Sequence, residues 1–214
     1  MSIPLRVAGC DPGTSSLDLL ILQDGQVSDQ TRFSPQDLRA DSAAPVRWLT
    51  ERGPFALVAG PSGYGLALIP ARECTDRDLS LMTLVRPDER GRDQGVAGFS
   101  ALLKALCTSD LPVVFLPGVI HLPTTPEHRK INHIDLGTPD KLCVAALALA
   151  TGSTDSVCVV ELGSAFTACV VLDGGRVVLG LGGTSGPCGW GSGGAWDGEL
   201  AYLLSPLRKT DLFT

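Results

Sequence analysis

The sequence predicts an α/β protein: a mixed sheet flanked by helices, followed by a second, incomplete copy of its opening strands. Three observations predict it. The chain opens with apolar runs separated by turn residues, and helical periodicities alternate with short apolar strands through its middle. The opening pattern then returns near Ser156, about 150 residues further on and at low identity, which marks an internal repeat. With 214 residues, 44% hydrophobic and only 19% charged, the chain can bury one sizeable core or two small ones.

The first copy reads as a strand Leu5–Cys10, a loop Asp11–Ser16, a strand Leu17–Leu22 and an Asp24-Gly25 turn into a third strand. Ser34-Pro35 then opens a helix expected to run to Glu51, with Leu38, Ala43, Val46, Trp48 and Leu49 as its apolar residues. Phe55–Ala59 is a short buried strand ending in the loop Gly60–Gly65. Residues Thr75–Arg92 are polar and form an excursion, with a helix around Leu79–Leu84. A helix from Gly95 to Thr108 leads to the strand Leu111–Leu116, and the polar loop His121–Thr138 precedes a buried helix over Asp140–Ala150. The second copy has a strand from Val157, an acidic turn at Glu161–Ser164, a return strand Phe166–Leu172, a turn at Asp173–Gly175 and a third strand Arg176–Leu181. A glycine-dense stretch, Gly182–Gly194, precedes a helical segment Ala195–Leu204 with Asp197 and Glu199 in its first turn. The expected domains are residues 1–150 and 151–214.

Composition narrows the function classes. A net charge of -6 without a long Lys/Arg run removes the electrostatic footprint of a nucleic-acid binder, and 5% aromatic residues leave little to stack bases on. The seven cysteines form no C-x-x-C pair and are odd in number, the usage of a cytoplasmic protein with reduced thiols. Val7-Ala8-Gly9-Cys10 imitates a lipoprotein cleavage box, but Pro4 and Arg6 break the short segment before it, so a buried strand is the better reading. No apolar run of about 18 residues exists to span a membrane.

The repeated hairpin carries the chemistry. A nucleoside triphosphate with Mg²⁺ needs unobstructed backbone N–H groups and a carboxylate for the metal or its water shell. Asp11, Gly13, Thr14 and Ser15 supply both in one turn. Glu161, Gly163 and Ser164 supply them again, making Asp11 and Glu161 the candidate metal carboxylates. A single Asp-Pro-Gly-Thr segment is more often an ordinary loop; two copies in the same strand frame favour phosphate binding. Gly182 and Gly183, at the head of the glycine-dense stretch, are candidates for a backbone-amide nest or for a flexible connection. Arg129 and Lys130 either neutralise a carboxylate substrate or a migrating phosphoryl group, or lie on a solvated loop. Asp135 is a candidate general base, Lys141 a candidate phosphate ligand, and Asp140 more simply a first-turn helix residue. His121, His128 and His133 have no standard metal-ligand spacing.

Taken in order, Gly9-Cys10-Asp11-Pro12-Gly13-Thr14, His121–Pro126 with His128-Arg129-Lys130, Asp135–Leu142, Glu161–Ser164 and Gly182-Gly183-Thr184 resemble a family of predicted butyrate kinases. That family is similar to the acetate and sugar kinases, chaperone ATPases and actin, and the resemblance implies a ribonuclease-H-like fold. It also implies ATP and Mg²⁺ as cofactors, the first phosphate motif at Asp11, Gly13 and Thr14, the second at Gly163 and Ser164, and nucleophile-orienting residues within Asp135–Lys141. Members carry a further glycine-containing turn and helix that cradle adenosine, so the second copy here is expected to be incomplete. The expected function is an ATP-dependent phosphotransferase on a small carboxylate or hydroxyl compound, with nucleotide and small-molecule acceptor as partners and a homodimer as an option. A degenerate, non-catalytic scaffold or regulator is the alternative, and an ATPase that moves a partner is a third reading.

Overall fold

The computed structural model describes residues 5–13, 15–86, 99–163 and 165–206, so Thr14 and Ser164, both expected to bind phosphate, lie outside the described residues. The chain forms two compact units, Met1–Pro117 and Gly118–Thr214. This boundary lies upstream of the start of the second repeat, because the helix over residues 139–151 packs on the strands of the second copy.

In the first unit, β1 (Arg6–Pro12), β2 (Leu17–Gln23) and β3 (Gln26–Phe33) form an antiparallel meander. β4 (Leu57–Gly60) pairs parallel to β1, β6 (Val113–Phe115) pairs parallel to β4, and the short β5 (Ile69–Pro70) closes the edge antiparallel to β6. The order β3-β2-β1-β4-β6-β5 is a six-stranded mixed sheet. Three antiparallel strands followed by parallel neighbours joined through helices make the ribonuclease-H-like arrangement, and the α/β expectation holds.

Among the described residues four α-helices accompany this sheet: α1 (Pro35–Ala40), α2 (Ala44–Thr50), α3 (Asp76–Thr83) and α4 (Phe99–Thr108). The single helix expected over 35–51 is two. Asp41 is extended, with φ -154° and ψ 90°, and α2 starts afresh with a proline in its first turn. Inside one continuous helix the Pro45 ring would collide with the carbonyl one turn earlier and leave it unbonded. The polar excursion does contain a helix, but it starts at Asp76 because Thr75 and Asp78 make a reciprocal capping box. Residues 87–98, including the expected first turn of α4, lie outside the described residues. Leu17, Leu19 and Ile21, alternate residues of β2, pack with Val58, Phe115, Leu49 and the Leu102, Leu103 and Leu106 face of α4. Period-two burial on the strand and three-and-four spacing on the helix build that core.

The second unit contains α5 (Pro139–Thr151), β7 (Val157–Leu162), β8 (Thr167–Asp173), β9 (Arg176–Leu181) and α6 (Gly198–Leu204). Its sheet is the antiparallel order β7-β8-β9. Ala145 of α5 packs with Val170, Leu172 and Val177 of the sheet and with Val119 and Leu136 from the preceding segment. That segment, expected to be loop, holds short 3-10 turns at Val119–His121 and Glu127–Arg129.

The repeat extends to detail. Asp11 pairs across to Asp18 and Glu161 to Ala168, each one step before a four-residue turn. The second hairpin of each copy has its register shift at the matching place, Ile21/Leu22 and Val171/Leu172. A shared bulge position is a stronger sign of common architecture than shared residues, because it fixes the twist of the strand pair. Among the described residues no helix is long and apolar enough to cross a membrane.

Candidate functional site

The first hairpin is held from its base. β1 continues through Asp11 and Pro12, so Asp11 is a strand residue, exposed and opposite Asp18, rather than the first residue of the loop. Asp18 anchors the turn: Ser16 Oγ donates to Oδ2 at 2.9 Å and Arg32 Nε to Oδ1 at 2.6 Å. Burial, and then the charge of Asp11, push the Cys10 thiol up to about 12, so this neighbour is an inert core residue. Ser15 is exposed in the turn. A Cβ on Gly13 would meet only the Ser16 carbonyl at 3.4 Å, an ordinary contact, and its backbone lies outside the left-handed region. The folded chain therefore does not need glycine there, whereas a ligand approaching the backbone would.

The second hairpin differs. The Gly163 amide donates to the Phe166 carbonyl at 2.9 Å, and a Cβ on Gly163 would stand 2.8 Å from that oxygen. Glycine is required here by the turn itself. Glu161 points to a connected set of charges. Lys141 Nζ, in the first turn of α5, donates to Glu161 Oε1 at 2.5 Å and to Asp140 Oδ2 at 2.7 Å. Burial works against the Lys141 charge; hydrogen bonds to Asp140 and Glu161 overcome it and hold its pKa above the ordinary lysine value. Thr138 Oγ1 donates to the other oxygen of Asp140. Glu161 Oε2 is buried and has no hydrogen-bond partner among the described residues.

Asp135 sits beside this network. Its Oδ1 accepts from the Gly137 amide at 2.6 Å. Burial pushes its carboxyl up to about 6; the charges of Asp140 and Asp197 add to the rise, and the Gly137 amide and Lys141 oppose it. Gly183 makes this burial feasible: its φ is +55°, and a Cβ there would lie 2.6 Å from Asp135 Oδ2. Gly182 also runs close to the Gly137 backbone, where an added Cβ would come within 2.7 Å of the Gly137 nitrogen. Asp197, a residue the sequence offers only as a helix start, ties the far side. Its Oδ1 caps α6 through the Leu200 amide at 2.9 Å, and its Oδ2 accepts from Ile134 N at 2.8 Å. The only local signal for it is an aspartate at an N-cap position.

Asp135, Lys141, Glu161, Gly182 and Gly183 thus come together within the second unit, with Asp140 and Asp197 added. Arg129 is used differently: its Nη1 donates to the Val178 carbonyl of β9 at 3.1 Å, a bond that docks the loop on the sheet. Lys130 pairs with Glu127 at 2.7 Å.

Among the described residues no group of three or more His, Cys, Asp or Glu is arranged to hold a metal ion alone. A phosphate-bridged Mg²⁺ asks for less, one or two carboxylates, the rest being water and phosphate oxygen. Glu161 fits that demand, since one oxygen is committed to Lys141 and the other is buried without a donor among the described residues. An unsatisfied buried acceptor costs about 1–3 kcal/mol, which a water or cation beside it offsets.

A family model described as "Protein of unknown function (DUF1464)" matches residues 9–214. No curated protein matches the chain. Among solved structures it is similar to an acetate kinase from Entamoeba histolytica, at 12% identity and a TM-score of 0.42, over 82% of this chain and 54% of that one. It is also similar to a Ppx/GppA family member from Aquifex aeolicus, at 15% identity and a TM-score of 0.40, over 86% of this chain and 52% of that one. The chain spans about half the length of these structures. Likeness at this level assigns no residue, ligand or activity.

Proposed function

The chain belongs to this family of unknown function, and from that premise we propose that it is a cytoplasmic, ATP-dependent phosphotransferase acting on a small carboxylate or hydroxyl compound, a butyrate- or acetate-kinase-like activity. One observation carries the reading. Lys141 holds Glu161 by one oxygen, and the other is buried with no hydrogen-bond partner among the described residues, beside a glycine turn that repeats the turn at Gly13.

Mg²⁺, when bound, supplies charge neutralisation to the phosphates of ATP. The chain's own residues do the rest in this reading. Glu161 would hold the ion or its water shell, and Asp11 is the matching carboxylate of the first hairpin. Backbone amides at Gly13, Gly182 and Gly183 donate to phosphate oxygens, the Gly163 amide being engaged by the Phe166 carbonyl, and Thr14, Ser15 and Ser164 add hydroxyls. Lys141 holds the Glu161 carboxylate in position. Asp135, titrating at about 6, is mostly ionised at neutral pH and accepts a proton from a hydroxyl acceptor; with a carboxylate acceptor its role is orientation.

Calorimetry of the full chain with Mg-ATP tests this. Binding is expected at millimolar nucleotide or below, and Glu161→Gln should weaken it about tenfold, one charge-assisted contact being worth roughly 1.5 kcal/mol or more. Absence of binding heat at millimolar Mg-ATP sinks the kinase reading. A second reading, a non-catalytic regulator or scaffold, draws support from the ion pairs of Lys141, which engage both Asp140 and Glu161 without any ligand. Nucleotide binding with no phosphorylated product from any carboxylate or hydroxyl acceptor would favour it.

A further inference from the structure

Cys158 and Cys169 are separated by ten residues and carry no motif spacing, yet the sheet brings them together. Cys158 pairs across to Val171 and Cys169 to Val160, which makes the two cysteines diagonal neighbours on one face of the β7–β8 pair. Their sulfurs are 3.3 Å apart. A disulfide has its sulfurs about 2.05 Å apart, so closure takes about 1.3 Å of movement, within reach of small side-chain rotations. Both thiols are free, and Cys158 is exposed while Cys169 is half-buried.

We infer that Cys158 and Cys169 form a dithiol modification site that hydroperoxides oxidise to an intramolecular disulfide. The exposed Cys158 is the attacking thiol and Cys169 the resolving one. The Cys158 thiolate attacks one peroxide oxygen, the O–O bond breaks, and the departing alkoxide leaves as an alcohol, or as water when the oxidant is hydrogen peroxide. Cys158 is now a sulfenic acid. The Cys169 sulfur attacks the Cys158 sulfur, the S–O bond breaks, and hydroxide takes the Cys169 proton and leaves as water. Two thiols have lost two electrons and the peroxide has gained them. Burial, then Cys158, raise the Cys169 thiol to about 11, so it waits as a thiol until a sulfenic acid forms within contact distance. The bridge ties β7 to β8 three residues before Glu161 on β7.

The molecule carries its own comparison. Cys74 and Cys107 interact in the first unit, but burial, then Cys107, push the Cys74 thiol up to about 12. Cys143 and Cys188 are exposed.

The test treats the reduced full chain with about one equivalent of hydrogen peroxide, one peroxide accounting for two electrons and hence one bridge. Free thiols are then alkylated and the chain is cut with a glutamate-specific protease. Cleavage after Glu161 separates the two cysteines, so a bridge appears as a linked peptide pair that falls apart on reduction. The expected result is that pair ahead of any other, together with slower amide exchange over residues 157–172 in the oxidised chain. In Cys169→Ser the reaction should stop at a Cys158 sulfenic acid that dimedone captures. Recovery of both cysteines alkylated after peroxide, or a Cys74–Cys107 bridge forming first, overturns the inference. Both readouts on the unmutated chain stand even if a variant folds poorly.

Discussion

Asp135→Asn removes a charge from the best-defined electrostatic feature of the second unit and leaves the Gly137 amide an acceptor. The unfolded carboxyl titrates near 3.8 and the folded one near 6. A raised folded pKa means that the folded state binds the proton more tightly. This aspartate therefore costs nothing below the unfolded value, progressively more as pH rises through the window, and its full amount above about 6. At 1.36 kcal/mol per unit the whole cost is about 3 kcal/mol, of which about 2 kcal/mol falls between roughly pH 4.5 and pH 7. The asparagine variant has no such titration. Urea unfolding of both proteins, read by amide exchange in β8 and α5 so that the second unit reports, should show the variant gaining about 2 kcal/mol on the wild type over that interval. Parallel stability curves across the interval would refute the assignment of a half-buried Asp135 whose pKa is raised.

Two further substitutions probe the same region. Gly183→Ala places a methyl group 2.6 Å from Asp135 Oδ2 at a residue with φ +55°, and should destabilise the second unit by at least about 1–2 kcal/mol, measured by thermal or urea unfolding. Lys141→Met keeps the aliphatic stem but leaves Asp140 and Glu161 facing each other without their shared cation. A loss of about 1–3 kcal/mol is expected at pH 7 and should be smaller in an Asp140→Asn, Glu161→Gln background; an equal loss in both backgrounds would mean that packing rather than charge is what Lys141 provides.

Much of the architecture was legible because its causes are local. Alternation along Leu17, Leu19 and Ile21 gives β2, Asp24-Gly25 and Gly174-Gly175 give the hairpin turns at positive φ, and Pro139 opens α5. The split between α1 and α2 was equally local: Pro45 announces it, although the apolar spacing across 38–49 conceals it. The short β5 carries too few residues for a pattern and is a strand only because β6 offers it an edge. At the site, residue identity was readable and partnership was not. Arg129 reads in the sequence either as a ligand for an anion or as part of a solvated loop, and its bond to a carbonyl of β9 has no sequence signature.

What the sequence by itself determined is the repeated strand-turn frame and the residue types that occupy it, because turn chemistry and hydrophobic period act over a few residues. Only the tertiary structure decided that Asp135 lies against Gly183 and is influenced by Asp197, that Lys141 bridges Asp140 to Glu161, and that Cys158 touches Cys169. Desolvation and charge pairing depend on which groups are neighbours in space, and those neighbours come from separate elements that the chain's local pattern does not connect.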